Sequence, residues 1–205
     1  MKTITLLSKA IFVLVSFVLA TTTYAQETRF FTDYYGEVEM PVKPQRIVSL
    51  QDHVITMTLV ELNAPVVGSV GRVAKDGTFY LRGIKDLLGV DFHNSNIEYV
   101  GWTDYEKVLA VNPDIIITNH WEDEAELEIL RKIAPTVAID QSKPLLDFMK
   151  DIADVGGVLD SYNERLVRYQ ARREEARKSI PNADENRIAI VLSNNGVLRG
   201  WNSYG

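Results

Sequence analysis

Val100-Gly101-Trp102-Thr103-Asp104-Tyr105-Glu106-Lys107-Val108-Leu109-Ala110-Val111-Asn112-Pro113-Asp114-Ile115-Ile116-Ile117 compresses a strand end, a cap, a short helix and a buried strand into one stretch. Thr103 or Asp104 can cap a helix whose apolar positions Tyr105, Val108, Leu109 and Val111 fall on one side. Asn112-Pro113 stops that helix, and Ile115-Ile116-Ile117 is the continuous apolar run of a strand buried on both faces. Residues just past the carboxyl ends of such strands, here Trp102 and His120-Trp121, are expected along one edge of the sheet. Open α/β folds bind ligands at that edge.

Working outward, the same alternation repeats. Asp33 to Glu39 reads as a hairpin leading into the domain. Arg46–Leu50 is a strand, Val54–Leu62 a helix with Ile55, Leu59 and Leu62 inward, and Pro65–Val70 a second strand. Tyr80 to Phe92 is a glycine-broken, loop-like excursion, long enough to serve a function. Ile97–Val100 returns as a strand, Glu122–Ile133 is a helix, and Thr136–Ile139 a further strand. Strands alternating with helices, with near-continuous apolar strands, define an α/β fold with a parallel sheet flanked by helices. From Lys143 the chain turns helical: Leu145–Gly156 is amphipathic, and Ser161–Ser179 is a long charged helix with a mostly solvated surface. Arg187–Leu192, the tight-turn signal Asn195-Gly196 and Val197–Trp201 form a closing hairpin.

Lys2 and Lys9 precede the apolar run Ala10–Ala20, and Thr23-Tyr24-Ala25 offers the small residues of a cleavage site. Residues 1–25 therefore read as a secretory signal peptide, with an uncleaved anchor as the weaker alternative. The chain has no cysteine, which excludes disulfides, thiolate metal sites, cysteine nucleophiles and a lipid-modified cysteine. The expected location is the periplasm of a Gram-negative cell, soluble and without a lipid anchor. Net charge is −6, and losing Lys2 and Lys9 with the leader deepens it to −8. Such a domain has no general attraction for nucleic acid or anionic membrane.

Four loops are expected to meet at the sheet edge, carrying Gln51-Asp52-His53, Gly71-Arg72, Gly101-Trp102-Thr103 and Asn119-His120-Trp121. Two tryptophans, two histidines and an arginine suit a bulky, flat or anionic ligand. Asp52 beside His53 resembles part of a catalytic triad only on paper, and a helix cap is its simpler role. Arg72 is either a ligand contact or a structural salt bridge. His53, His93 and His120 lack the spacing of a metal site. Ser49 and Ser69 lack the glycines of a nucleophile elbow.

The opening stretch, with Pro44-Gln45-Arg46-Ile47-Val48-Ser49-Leu50 upstream and Ile133-Ala134-Pro135-Thr136-Val137 downstream, resembles the periplasmic binding proteins of ABC importers for iron-siderophore complexes, haem and cobalamin. The resemblance covers roughly Pro44 to Gly205. It implies a signal peptide at 1–25, an N-terminal α/β lobe at 26–142, inter-lobe helices at 143–180 including a long spine helix, and at 181–205 the first hairpin of an incomplete second lobe. It implies no catalysis and no resident cofactor or protein-bound metal. The ligand would be an Fe(III)-siderophore whose organic shell meets Trp102, Thr103, His120, Trp121 and His53, with Arg72 and Arg82 in or near an excursion that in some relatives closes over the ligand. Glu106, in the register Glu-x-x-x-Ala-x-x-Pro-Asp, would dock to an inner-membrane ABC permease; an ordinary surface acid is the alternative. The expected protein is a monomer with no nucleic-acid partner. Haem or cobalamin binding is the nearest alternative; a truncated product without binding of its own is another, and a periplasmic hydrolase a third.

Overall fold

The computed structural model describes residues 26–182, apart from Thr103 and 120–122, and the strands Ile190–Asn194 and Val197–Trp201. The signal-peptide reading, the Asn195-Gly196 turn and the candidate site residues Thr103, His120 and Trp121 fall outside these residues.

The chain opens with an antiparallel hairpin, β1 (Thr28–Thr32) and β2 (Glu37–Pro41). Its turn is organised by Asp33, whose Oδ1 accepts from the amides of Tyr35 and Gly36 at 2.7 and 2.9 Å. The other oxygen of Asp33 accepts from the Ala138 amide at 3.0 Å, stitching the hairpin to the flank of the main sheet.

That sheet contains β3 (Ile47–Ser49), β4 (Val66–Ser69), β7 (Glu98–Tyr99), β8 (Ile115–Asn119) and β9 (Thr136–Ile139), in the order β7-β4-β3-β8-β9. Every pairing is parallel. Parallel strands need crossovers, and the helices that supply them cover both faces. On one face Ile47, Ile115, Ile117, Val137 and Ile139 pack with Ile55 and Leu59 of α1 (Ile55–Glu61) and with Phe148, Ile152 and Val155 of α5 (Leu145–Val155). On the other, Val48, Leu50 and Ile116 pack with Val108 of α3 (Tyr105–Ala110) and Leu130 of α4 (Glu124–Arg131). Ile115, Ile116 and Ile117 are all fully buried, as a strand covered on both sides requires. α3 begins at Asp104, whose side chain accepts from the Lys107 amide, and ends where Asn112 takes φ +47° before Pro113.

The segment from Tyr80 to Phe92 is more ordered than the loop-like excursion expected from its glycines. β5 (Arg72–Val73) pairs with β6 (Phe79–Tyr80), and α2 (Ile84–Leu88) follows between Gly83 and Gly89, both at φ near +70°. These glycines cap one helical turn instead of breaking it. Leu81 and Ile84 are fully buried in the core. Asp91 closes the segment, its Oδ1 accepting from the amides of Leu81 and Phe92, each at 2.9 Å.

The long helix α6 (Leu159–Ser179) is tied to the lobe at its start. Tyr162 is buried and donates to the Leu146 carbonyl at 2.8 Å, and Arg165 pairs with Glu61 at 2.9 Å. From Val167 onward every residue of α6 is exposed, which agrees with the solvated surface read from its charges. Beyond it β10 (Ile190–Asn194) and β11 (Val197–Trp201) form the antiparallel hairpin placed there by sequence.

Candidate functional site

The sheet register fixes which loops can meet. Tyr99, Ser69, Ser49, Ile117 and Val137 stand abreast across the five strands. Three residues further along the first three of these strands come Trp102, Arg72 and Asp52. The same offset from Ile117 reaches His120, outside the described residues.

Below this rim sits a buried cluster of hydroxyls. Thr56 Oγ1 lies 2.8 Å from Ser49 Oγ and 2.7 Å from Ser69 Oγ. Gln51 caps α1, its Oε1 accepting from the amides of Val54 and Ile55 at 3.0 and 2.9 Å. The helix cap expected of Asp52 is thus made by Gln51, and this leaves the Asp52 carboxylate to face the neighbouring strand.

Asp52 is fully buried and takes Arg72 in a two-pronged pair, Nε to Oδ2 at 2.7 Å and Nη2 to Oδ1 at 3.1 Å. Two parallel N–H···O bonds hold a guanidinium in plane as well as in place. The bond to Asp52 pushes the Arg72 pKa further above its already high ordinary value. Its guanidinium carbon lies 5.2 Å from the centre of the Trp102 ring, within cation–π range. Trp102 is anchored in turn, Nε1 donating to the Gly71 carbonyl at 3.3 Å, while 47% of the residue remains exposed. A Cβ at Gly71 would lie 2.5 Å from the Phe92 ring and 2.9 Å from the Tyr80 carbonyl oxygen, so only glycine fits there.

His53 Nδ1 is buried, 3.6 Å from Asp52 Oδ1, too far for a hydrogen bond, and has no hydrogen-bond partner among the described residues. Burial is the first cause of its lowered pKa, and the positive charge of Arg82 the second. Arg82 is exposed, between Tyr80, which stands opposite Arg72 in the β5–β6 ladder, and Gly83, which packs against Met57 of α1.

Of the residues singled out from sequence, the structure brings together His53, Arg72 and Trp102 about Asp52, and Arg82 is tied to them only through its charge, which lowers the His53 pKa. Glu106 is exposed in the first turn of α3. Asp52 was read from sequence as part of the rim loop, but its pairing with Arg72 was not. The signal of that pairing was the offset of Asp52 from Ser49, equal to that of Arg72 from Ser69, visible only once β3 and β4 are known neighbours. Two surface cavities, of about 570 and 640 Å³, lie on the flanks of the sheet and include none of the rim residues. No group of three or more His, Asp or Glu side chains among the described residues is arranged to hold a metal ion.

Residues 81–204 match the family model described as periplasmic binding protein, and the chain belongs to that family. It is 28% identical over 173 residues to the iron(3+)-hydroxamate-binding protein FhuD of Bacillus subtilis (strain 168), covering 83% of this chain and 50% of that protein. Among solved structures, the FhuD protein from S. pseudintermedius superposes with a TM-score of 0.67 at 22% identity, over 86% of this chain and 61% of that one. The periplasmic catecholate-siderophore binding protein VctP from Vibrio cholerae gives 0.62 at 16%, over 87% and 62%. The two structural likenesses establish the fold. The chain spans about half the length of the curated relatives it matches. No helix among the described residues is long and apolar enough to cross a membrane.

Proposed function

We propose that this chain supplies the N-terminal lobe of the periplasmic substrate-binding component of an ABC importer, and that its rim holds a ferric siderophore by the organic shell. The convergence of His53, Arg72 and Trp102 on one edge of a parallel sheet carries the reading. An exposed indole backed by a locked guanidinium offers contact area at little entropic cost, and guanidinium N–H groups match chelate oxygens. Capture and release, not bond making, is the activity proposed, in keeping with the substrate-binding relatives. The iron stays with its chelator and needs no protein ligand. Thr103, His120 and Trp121 are proposed to extend the contact surface, and Glu106 to face the membrane permease. Secretion through residues 1–25 and a monomeric state complete the proposal.

Tryptophan fluorescence tests it. Saturable quenching by a ferric siderophore, reduced in Trp102→Phe, is the expected result, weak in this chain and stronger when a second lobe faces the rim. A flat titration in both forms overturns the reading. A Soret shift on adding haem, without siderophore quenching, would reassign the ligand.

A further inference from the structure

The strand pair that carries Arg72 stands outside the five-stranded sheet: β5 and β6 form a two-stranded sheet of their own. Arg72 stands opposite Tyr80 and Val73 opposite Phe79, and Asp76 closes the turn between them, accepting from the Thr78 amide and hydroxyl at 3.0 and 2.7 Å. Trp102 instead follows β7, at the edge of the main sheet. A small rotation of one piece against the other would carry the guanidinium, 5.2 Å from the indole centre, off the ring. An aromatic stack joins the two pieces. The Phe79 and Tyr99 rings lie within 18° of parallel, their centroids 4.0 Å apart, and Phe92 meets Tyr99 edge-on at 5.7 Å. Phe92 also walls Gly71, whose carbonyl accepts from Trp102 Nε1. Over the Tyr99 ring lies Lys107 Nζ, 5.6 Å from its centre, and the same ammonium is 3.0 Å from Asp104, the cap of α3. Tyr99 therefore meets both flanks of Trp102: the Arg72 hairpin through Phe79, and the start of α3 through Lys107. Phe79 is 45% exposed and stands outside the buried cores described above, so its ring is committed to this contact.

We propose that Tyr99 is a positioning residue of the rim: its ring, clasped by Phe79, fixes the β5–β6 pair so that Arg72 lies against Trp102, and through Lys107 it holds the start of α3 on the other side. Tyr99 acts through Arg72 and Trp102, not by meeting the guest itself. The inference rests on the siderophore-binding reading above for its effect on affinity, whereas the geometry it fixes belongs to the protein alone. An aromatic pair adds an attraction that depends on ring orientation, beyond the area it covers. Leucine at 99 or 79 keeps an apolar side chain and loses that directional part. The hairpin is then held at the rim by the Arg72–Asp52 pair and the Trp102–Gly71 bond. A surface set in advance need not order its parts when a ligand arrives, so looseness here appears as lost affinity.

The test uses the full chain and follows hydrogen exchange at Arg72 Nε–H by heteronuclear NMR, the signal being identified by its loss in Arg72→Lys. Fluorescence titration with a neutral ferric tris-hydroxamate runs alongside. Tyr99→Leu and Phe79→Leu should each speed that exchange about fivefold and weaken the probe by a similar factor. The two substitutions together should cost little more than either alone, since each breaks the same contact. Tyr99→Phe and Phe79→Tyr keep both rings and should stay within about twofold of the native chain. Losses that add in the double variant would mean that the rings act separately, and would overturn the assignment. So would leucine variants that lower the urea midpoint yet keep native Arg72 exchange and affinity after correction for the folded fraction, the result that packing alone would give. A native chain that binds no ferric probe removes the siderophore reading, and the exchange rates then decide by themselves whether Tyr99 positions Arg72.

Discussion

The two ends of the same parallel sheet treat charge in opposite ways. At the amino end, Asp114 accepts from the amides of Gln45 and Arg46 at 2.6 and 3.0 Å and from Gln26 Nε2 at 3.1 Å. Arg46 in turn donates through Nε to the Asn112 carbonyl at 2.8 Å and also to that of Val111, closing the end of α3. Both charges are spent on backbone groups that would otherwise lack partners. At the carboxyl end, Asp52 and Arg72 bond to each other, leaving part of the guanidinium, the Trp102 face and Arg82 turned outward. One edge closes the backbone; the other displays side chains. A sheet end whose polar groups serve side chains more than main chain is where binding can be built without unravelling the fold.

Substitutions at the two ends should therefore fail differently. The largest loss is expected at the carboxyl end, from Arg72→Leu. It strands the Asp52 carboxylate without its cation and should cost about 3 kcal/mol in urea unfolding. Adding Asp52→Asn removes the orphaned charge and should recover much of that loss, while ligand binding stays impaired. If the double variant is no more stable than Arg72→Leu, the pair is not the unit described. Asp114→Ala comes next, at about 2 kcal/mol, because it releases two backbone amides at once. The siderophore binding proposed for the rim should be unchanged after correction for the folded fraction. A specific loss of binding there would erase the division between the two edges.

What the sequence disclosed, and what it hid, follows the same divide. Elements built from local pattern were legible: Asn112-Pro113 ended α3, Ile115–Ile117 was buried on both sides, and Trp102 emerged at the carboxyl edge. Contacts that depend on strand order were not. Asp52 and Arg72 are 20 residues apart and meet only because β3 and β4 are neighbours in register. The fixity of the Tyr80–Phe92 segment was hidden because its glycines look like breaks. Its anchors, Leu81 and Ile84, are ordinary apolar residues whose burial no local period announces. Gln51 was overlooked as the cap of α1 because glutamine is not among the usual capping residues. Asp114, which the sequence placed in one register with Glu106, clamps the amino edge, a role its position alone did not announce.

The smallest expected effect tests the rim by titration. His53 has a lowered pKa in the fold, from burial first and from Arg82 second, while Asp52 pulls the other way and Arg72 adds to the lowering. Above the ordinary value of 6.5 the ring is neutral in both folded and unfolded chains, so His53 lends stability no slope. As pH falls below that value the unfolded chain takes up the proton first. Stability should then decline until the folded-state value is passed, and level off. Urea midpoints followed downward from about pH 8 should show this decline in the native chain and lose it in His53→Gln. Arg82→Gln should shrink the window without abolishing it, since the guanidinium is the second cause of the shift and burial the first. The amino edge contributes no histidine to this window, so Asp114→Ala should lower every midpoint while leaving the His53 slope intact. A His53 window left unchanged by Arg82→Gln would mean that the imidazole does not sense Arg82, and the two would no longer belong to one site.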